Sequence, residues 1–217
     1  MSGILTQAVI ALSILLVIWY VAGSWLNRRR ALSLLRWVRE GVQKLGGRAT
    51  MRWLGRTSGF QVSVKGARRP FKKIEMMVLL EPREVLLLWL FNRLRGRRDM
   101  MSFKADLRTR PKAELEIVPR KGRITKKILK AVEEGTWAKG KLEDTDLIVI
   151  LKDGEVAPLV EKLTPLLREC APHVLRLSLR KQSPHLLANL SLPGLEGMEA
   201  EAVFTLLEQV IRASQPS

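Results

Sequence analysis

The residues that most often carry catalysis are scarce in this chain of 217 residues, which has one cysteine and two histidines. Cys170, His173 and His185 flank a predicted strand pair, where they could form a nucleophilic Cys/His site because a thiol needs a neighbouring base. A small buried thiol and two loop histidines is the simpler interpretation, and the sequence favours it. The chain contains no glycine-rich phosphate loop, dinucleotide fingerprint or zinc-protease motif. We therefore predict no catalytic residue, no metal site and no cofactor.

Carboxylates are the remaining candidates for acid–base or metal chemistry. Glu114 and Glu116 share one face of a predicted strand because they are two residues apart, and Lys112 beside them favours a solvated face. A second acidic group lacks the ligand spacing of a calcium loop, so we interpret it as surface charge. Its members are Glu133, Glu134, Glu143, Asp144 and Asp146.

Positive charge is the strongest chemical signal in the sequence. The chain has 38 Lys and Arg against 21 Asp and Glu, which gives a net charge of +17 and a pI near 10.8. The excess is concentrated in residues 28–130, whose net charge is +21, whereas residues 131–217 carry −4. Such a balance favours a polyanionic neighbour, either nucleic acid or an acidic lipid surface.

Basic residues between predicted elements are the candidates for binding phosphate. Arginine offers bidentate geometry, and each neutralised phosphate releases counterions. The candidates for binding RNA or other phosphate groups are Arg93, Arg95, Arg97, Arg98, Arg120, Lys121, Arg123, Lys126 and Lys127. A merely solvated basic face is the alternative. The sequence contains no recognisable base-reading module, so any nucleic-acid contact is expected to involve shape and backbone.

The N-terminal stretch 4–26 is uncharged and rich in Ile, Leu, Val and Ala. As a helix it would be roughly 34 Å long, enough to cross the hydrocarbon core of a membrane. Trp19, Tyr20 and Trp25 gather at its C-terminal end, where an interfacial aromatic belt is expected. A cleavable signal peptide is the alternative, but a basic leader is missing and the apolar run is too long for one.

Three arginines, Arg28, Arg29 and Arg30, follow this stretch at once. By the positive-inside rule the N-terminus lies outside and the rest of the chain is cytoplasmic, with these arginines against anionic lipid. We predict a single-pass membrane protein, located in the cell membrane of a prokaryote or the endoplasmic reticulum of a eukaryote. Its parts are an anchor over 4–26, a basic cytosolic domain over 28–213 and a tail over 214–217.

Hydrophobic periodicity predicts that the cytosolic part is an α+β domain of repeated αββ units with antiparallel strand pairs. Helices are predicted over 31–45, 82–94, 124–132, 156–167 and 203–211, and strands over 60–65, 74–80, 101–108, 115–117, 147–151, 175–180 and 186–192. The strand at 115–117 is expected to pair with the one at 101–108, and a partner for 147–151 near Trp137 is poorly marked. Glycines at 46–47, 96 and 135 are expected to end three of the helices.

The segment 85–91 is apolar all round and includes Trp89. A helix of this kind is most often a central core helix. The alternative is an apolar face that contacts a partner in the membrane.

Three segments and their order are informative about family. They are the strand at 59–66 (GFQVSVKG), Arg98-Asp99 before an alternating strand, and the run from 175–179 (LRLSL) to 190–194 (LSLPG) with a closing helix. In this order they resemble the calumin family of single-span endoplasmic reticulum proteins. The resemblance covers residues 4–213. The chain is similar to a compact prokaryotic, archaeal-type relative of that family. The acidic lumenal segment and the C-terminal coiled coil of that family are missing, so calcium buffering is not carried over.

The resemblance implies a non-enzymatic factor for membrane-protein insertion and folding. Its expected partners are translocon subunits, a small multi-spanning membrane protein, the ribosome through its RNA, and anionic lipid. A membrane-anchored adaptor that binds anionic lipid and a protein partner without the ribosome is the alternative function.

Overall fold

The computed structural model describes residues 2–111, 113–132, 137–152 and 154–214, which form an α+β structure. Its helices are α1 (Ser2–Leu45), α2 (Leu86–Leu94), α3 (Arg123–Val132), α4 (Ala157–Leu167) and α5 (Ala200–Ala213). Its strands are β1 (Arg48–Trp53), β2 (Gly59–Lys65), β3 (Phe71–Leu79), β4 (Met100–Leu107), β5 (Glu114–Pro119), β6 (Trp137–Lys141), β7 (Leu147–Lys152), β8 (Val174–Leu179) and β9 (Leu186–Ser191).

The nine strands form one sheet in the order β1-β2-β3-β4-β9-β8-β5-β7-β6, and every neighbouring pair is antiparallel. Connections between strands therefore lie at two ends of the sheet. The proximal end carries residues 54–58, 80–99, 120–122, 142–146 and 192–199. The distal end carries residues 46–47, 66–70, 108–111 and 180–185.

Helix α1 runs without a break from the apolar N-terminal stretch into the domain, over a length of about 66 Å. Its first half is exposed, whereas Leu34, Val38 and Leu45 in its second half are buried in the core. The helix ends where Gly46 and Gly47 take positive φ angles that favour glycine. The predicted boundary between anchor and domain is therefore a continuous helix and not a linker.

The core lies between one face of the sheet and three helices, α1, α4 and α5. Alternating side chains of the strands point into it, as the period of two requires. Helix α3 packs on the opposite face, where Ile128 and Leu129 cover Val118 and Ile150. The ring of Phe204 on α5 lies 6.2 Å from that of Trp37, whose indole donates to Met198 O at 2.8 Å, so α5 is tied to α1.

The sheet order corrects one expectation about the strands and adds a strand that was not predicted. The strand at 115–117 was expected to pair with that at 101–108, but β4 lies between β3 and β9, and β5 lies between β8 and β7. β1 was not predicted, although its six residues (RATMRW) alternate between polar and apolar types; all six are exposed at the edge of the sheet. The partner of β7 near Trp137 is present as β6, while the predicted stop of α3 at Gly135 falls outside the described residues.

The expectation of a core helix at 85–91 is wrong. Helix α2 buries only Asn92, whereas Leu87 and Leu94 are 77% and 79% exposed. The helix begins at Leu86, four residues after the Pro82 that was expected to open it. An all-apolar pattern alone could not distinguish burial in protein from exposure on its surface.

Candidate functional site

Helix α1 meets the proximal end of the sheet at a polar junction, which includes Gly23, Asn27 and Arg30 of α1, segment 81–84 and Asp99. The close approach depends on Gly23, because a Cβ there would lie 2.4 Å from Arg83 O. Asn27 is fully buried, and its amide donates to Glu81 O at 2.8 Å and to Glu84 Oε2 at 2.9 Å. The end of the apolar stretch is therefore fixed to the segment that precedes α2.

Asp99 is the centre of the junction and is 1% exposed. Its two carboxylate oxygens accept from the two terminal nitrogens of Arg83 at 3.0 and 2.9 Å, and Oδ1 also accepts from Glu81 N at 2.8 Å. Arg83 donates further to Asn27 Oδ1 at 2.8 Å. Such charge-assisted, bidentate bonds in a buried place hold the three chain segments in one geometry.

Two tryptophans extend the junction along α1. The rings of Trp19 and Trp89 lie 5.7 Å apart, and the Trp19 indole donates to Arg83 O at 2.9 Å. Trp89 Nε1, Ser24 Oγ and Glu81 Oε2 are buried and have no hydrogen-bond partner in the described part of the chain. Helix α2 therefore contacts α1 through the Trp89 ring and leaves most of its apolar side chains exposed.

The predicted basic cluster at 93–98 lies directly after α2 at the proximal end. Arg93 lies over the Trp89 ring at 5.5 Å, and Arg95 lies over Phe91 at 3.8 Å. Arg97 and Arg98 are exposed, and Arg98 donates to the carbonyl oxygens of residues 93 and 97 at 3.2 and 2.9 Å. Arg93 therefore lies beside the tryptophan that contacts α1, and the other three arginines follow it at the same end of the sheet.

The predicted cluster at 120–127 also lies at the proximal end, three strands away from β4. Arg120 and Lys121 are exposed in the turn after β5, and Arg123 begins α3. Lys126 and Lys127 are exposed on the first turns of α3, which is fixed by a bond from Thr125 Oγ1 to Pro119 O. With a strand spacing of about 4.8 Å, β5 lies roughly 14 Å from β4.

The predicted membrane-surface arginines divide into two groups. Arg28 and Arg29 are exposed, and Arg29 lies over the Trp25 ring at 5.5 Å. Arg30 points into the junction instead, where it bonds Glu196 Oε1 at 2.6 Å and lies 3.4 Å from Asp99 Oδ2. Its charge is therefore engaged inside the protein.

A second group of exposed cations gathers at the distal end of the sheet, and the sequence analysis did not single it out. Its members are Arg48, Lys65, Arg68, Arg69, Lys72, Arg110 and Lys181. They come from four separate segments of the chain, so only the antiparallel sheet brings them together. We call this group the distal cations. The nine residues of β3 place it about 30 Å from the proximal end.

The two candidate histidines are not brought together. His173 precedes β8 at the proximal end, whereas His185 precedes β9 at the distal end, where its Nδ1 accepts from Leu107 N at 3.1 Å. Cys170 is buried, and burial raises the pKa of its thiol to about 11, which disfavours the thiolate. The separation of the two histidines and the raised pKa of the Cys170 thiol do not favour a Cys/His nucleophile.

The carboxylates have structural partners. Glu116 is nearly buried and accepts from Arg176 at 2.9 and 2.7 Å and from Ser178 at 2.7 Å. Glu114 pairs with Lys152 at 3.2 Å. Among the described residues no group of three His, Cys, Asp or Glu could hold a metal ion, and Glu133 and Glu134 lie outside that part of the chain.

Helix α1 is long and apolar enough to cross a membrane, and it is the one such helix among the residues described. No protein-family model matches the sequence, and no curated protein matches it either. The site is therefore characterised by its own geometry: a membrane-length helix, a buried polar junction, an exposed apolar helix and three groups of cations.

Proposed function

We propose that this chain is a membrane-anchored, non-enzymatic factor for membrane-protein insertion and folding, which bridges translocon and ribosome. The observation that carries the proposal is the unbroken α1, whose exposed apolar half continues directly into the core of a strongly basic domain. Such a helix transmits the position of the anchor to the domain. A scaffold between a membrane complex and a large polyanion needs this combination.

In this proposal the apolar half of α1 is the single span, the N-terminus is outside and the domain is cytoplasmic. The charge pattern supports this orientation, because exposed Arg28 and Arg29 follow the span directly. The translocon subunits and the small multi-spanning membrane protein suggested by the calumin resemblance would contact the span. Contact with either partner requires no catalytic centre or cofactor in this chain.

The three groups of cations suit different polyanions. The residues at 93–98 lie beside the span, so lipid phosphate is their nearest polyanion. The distal cations lie at the end of the sheet away from the span and suit ribosomal RNA, and the exposed Lys126 and Lys127 are also candidates for RNA. Contacts of this kind neutralise phosphates, so they weaken steeply as salt is raised.

Ribosome co-sedimentation from detergent-solubilised membranes tests the proposal. We expect the chain in the ribosome pellet at low salt and its release at high salt. Replacing Lys72, Arg110 and Lys181 together by Glu should abolish pelleting at low salt. The matched variant with Arg95, Arg97 and Arg98 replaced by Glu has the same change of charge and should pellet nearly as the wild type. Absence of the wild type from the pellet at low salt would contradict the proposal.

The second candidate function is an adaptor that binds anionic lipid and a protein partner without the ribosome. The exposed apolar surface of α2 with arginines after it favours this function. Purification with native lipids distinguishes the two candidates, since ribosomal proteins and RNA accompany the chain only in the first.

A further inference from the structure

Helix α2 has the reverse of the usual arrangement of a surface helix. Its side chains at 87, 88, 90, 91 and 94 are apolar and between 45% and 79% exposed, whereas its one buried residue is Asn92. A helix on a water-facing surface normally buries its apolar stripe and exposes its polar one. An apolar exterior over polar contacts is the arrangement that a lipid environment favours.

The position of α2 along α1 gives its depth. Trp89 of α2 lies against Trp19 of α1. Trp19 is seven residues before the end of the uncharged stretch, which corresponds to about 10 Å of helix. Interfacial helices bury their apolar face about 5–10 Å into the boundary between headgroups and acyl chains. If α1 spans the bilayer, α2 is therefore held at that boundary.

The junction keeps α2 at this depth. Segment 81–84, which leads into α2, is bound to Asn27 and contacts Gly23, and both residues belong to α1. Asp99, on the other side of α2, is bound to Arg83 of the same segment. Both ends of the connection that contains α2 are therefore fixed to the base of the span.

The cations after α2 lie where lipid phosphates are expected. Arg93 and Arg95 lie over the rings of Trp89 and Phe91, which places guanidinium groups at the C-terminal end of the apolar surface. Interfacial anchors typically place aromatic rings at the edge of the hydrocarbon region and arginines beside them at the level of the headgroups. Cations in this zone are attracted by the anionic lipids of the cytoplasmic leaflet.

We propose that α2 lies in the cytoplasmic leaflet as an interfacial helix, with its apolar side chains among acyl chains and the arginines at 93–98 on the phosphates of anionic lipids. This inference rests on the proposed membrane anchor. It adds to that proposal a second, shallow membrane contact, which fixes the rotation of the domain about the axis of the span.

Spin labels on the full chain in vesicles of phosphatidylcholine and phosphatidylglycerol measure the depth. The labels replace Leu87 and Leu94 on α2 and, as references, Leu12 in the span and Gln182 at the distal end, each in a Cys170→Ala background. Collisions with oxygen report the hydrocarbon region, and collisions with a water-soluble nickel chelate report water. At 87 and 94 we expect oxygen collisions to exceed nickel collisions several-fold, as at 12, and the reverse at 182.

The references separate the failure of this inference from that of the anchor. If the label at 12 is in hydrocarbon while those at 87 and 94 behave like the label at 182, only the interfacial helix is refuted. If the label at 12 is in water, both proposals fail. Labels at 87 and 94 that are shielded from both reagents would show that protein covers α2, which also overturns the inference.

The lipid retained by the purified full chain tests the arginines. The variant with Arg95, Arg97 and Arg98 replaced by Gln should retain several-fold less phosphatidylglycerol relative to phosphatidylcholine than the wild type. Its control replaces Arg68, Arg69 and Lys72 by Gln and should leave this ratio unchanged. An equal loss in both variants would refute a specific role for the arginines after α2.

Discussion

Replacing Asp99 by Ala should separate the proximal end of the sheet from α1. The carboxylate accepts two bonds from Arg83 and one from the backbone of segment 81–84, and it is 1% exposed. Its loss leaves Arg83 without its main partner in a poorly hydrated place. Removing one partner of a buried ion pair costs about 3–5 kcal/mol in the free energy of unfolding. For a domain of this size we therefore expect the melting temperature to fall on the order of 10 °C.

The assay is thermal unfolding of the full chain in detergent micelles, followed by circular dichroism. The matched control is Glu201→Ala, which removes an ion pair with Lys44 whose side chains are 64% and 45% exposed. Exposed pairs contribute little, so this variant should lose less than about 1 kcal/mol. Asp99→Asn keeps an acceptor for the bond from Glu81 N, so its loss of stability should lie between those of Asp99→Ala and Glu201→Ala. If Asp99→Ala is no more destabilising than the control, the junction does not hold α1 to the sheet.

Three further predictions use the same or similar measurements. Gly23→Ala should lower the melting temperature because its Cβ would meet Arg83 O at 2.4 Å. The control Gly3→Ala has nothing within 4 Å of its Cβ and should not lower it. Equal effects of the two variants would contradict the close approach of α1 to segment 81–84. Glu116→Ala should cost about 3 kcal/mol by leaving two arginines unpaired, and a value below that of Glu114→Ala would refute this. Cys170 should be alkylated at pH 8 at least about 100-fold more slowly than an unfolded thiol, since its pKa is raised to about 11. Rapid alkylation of the folded chain would show an accessible thiolate and contradict this prediction.

Local sequence patterns were sufficient to predict those features that do not depend on which elements lie next to one another in the fold. The α+β class, the exposed apolar half of α1 and its end at Gly46 follow from composition, periodicity and helix-stop chemistry. The pairing of β5 with β7 and β8 could not be predicted, because alternation shows which face is buried and not which strand lies beside it. β1 alternates polar and apolar residues (RATMRW), so its periodicity could have indicated a strand even though both of its faces are exposed.

The candidate site was predicted only in part. The basic residues at 93–98 were recognised from charge, but their position beside α1 depends on bonds between residues that are far apart in sequence. Asn27, Arg83 and Asp99 are the clearest example, since each has an ordinary polar identity and only the fold brings them together. An uncharged amide at the end of the apolar stretch was the one local signal that could have indicated the junction.

Protease protection in membrane vesicles of known orientation tests the central claim most directly. The account predicts that α1 resists extraction by alkaline carbonate and that protease added at the cytoplasmic face digests the basic domain, while protease at the opposite face leaves it intact. A domain that is digested only from the opposite face, or a chain that carbonate releases from the membrane, would contradict the account.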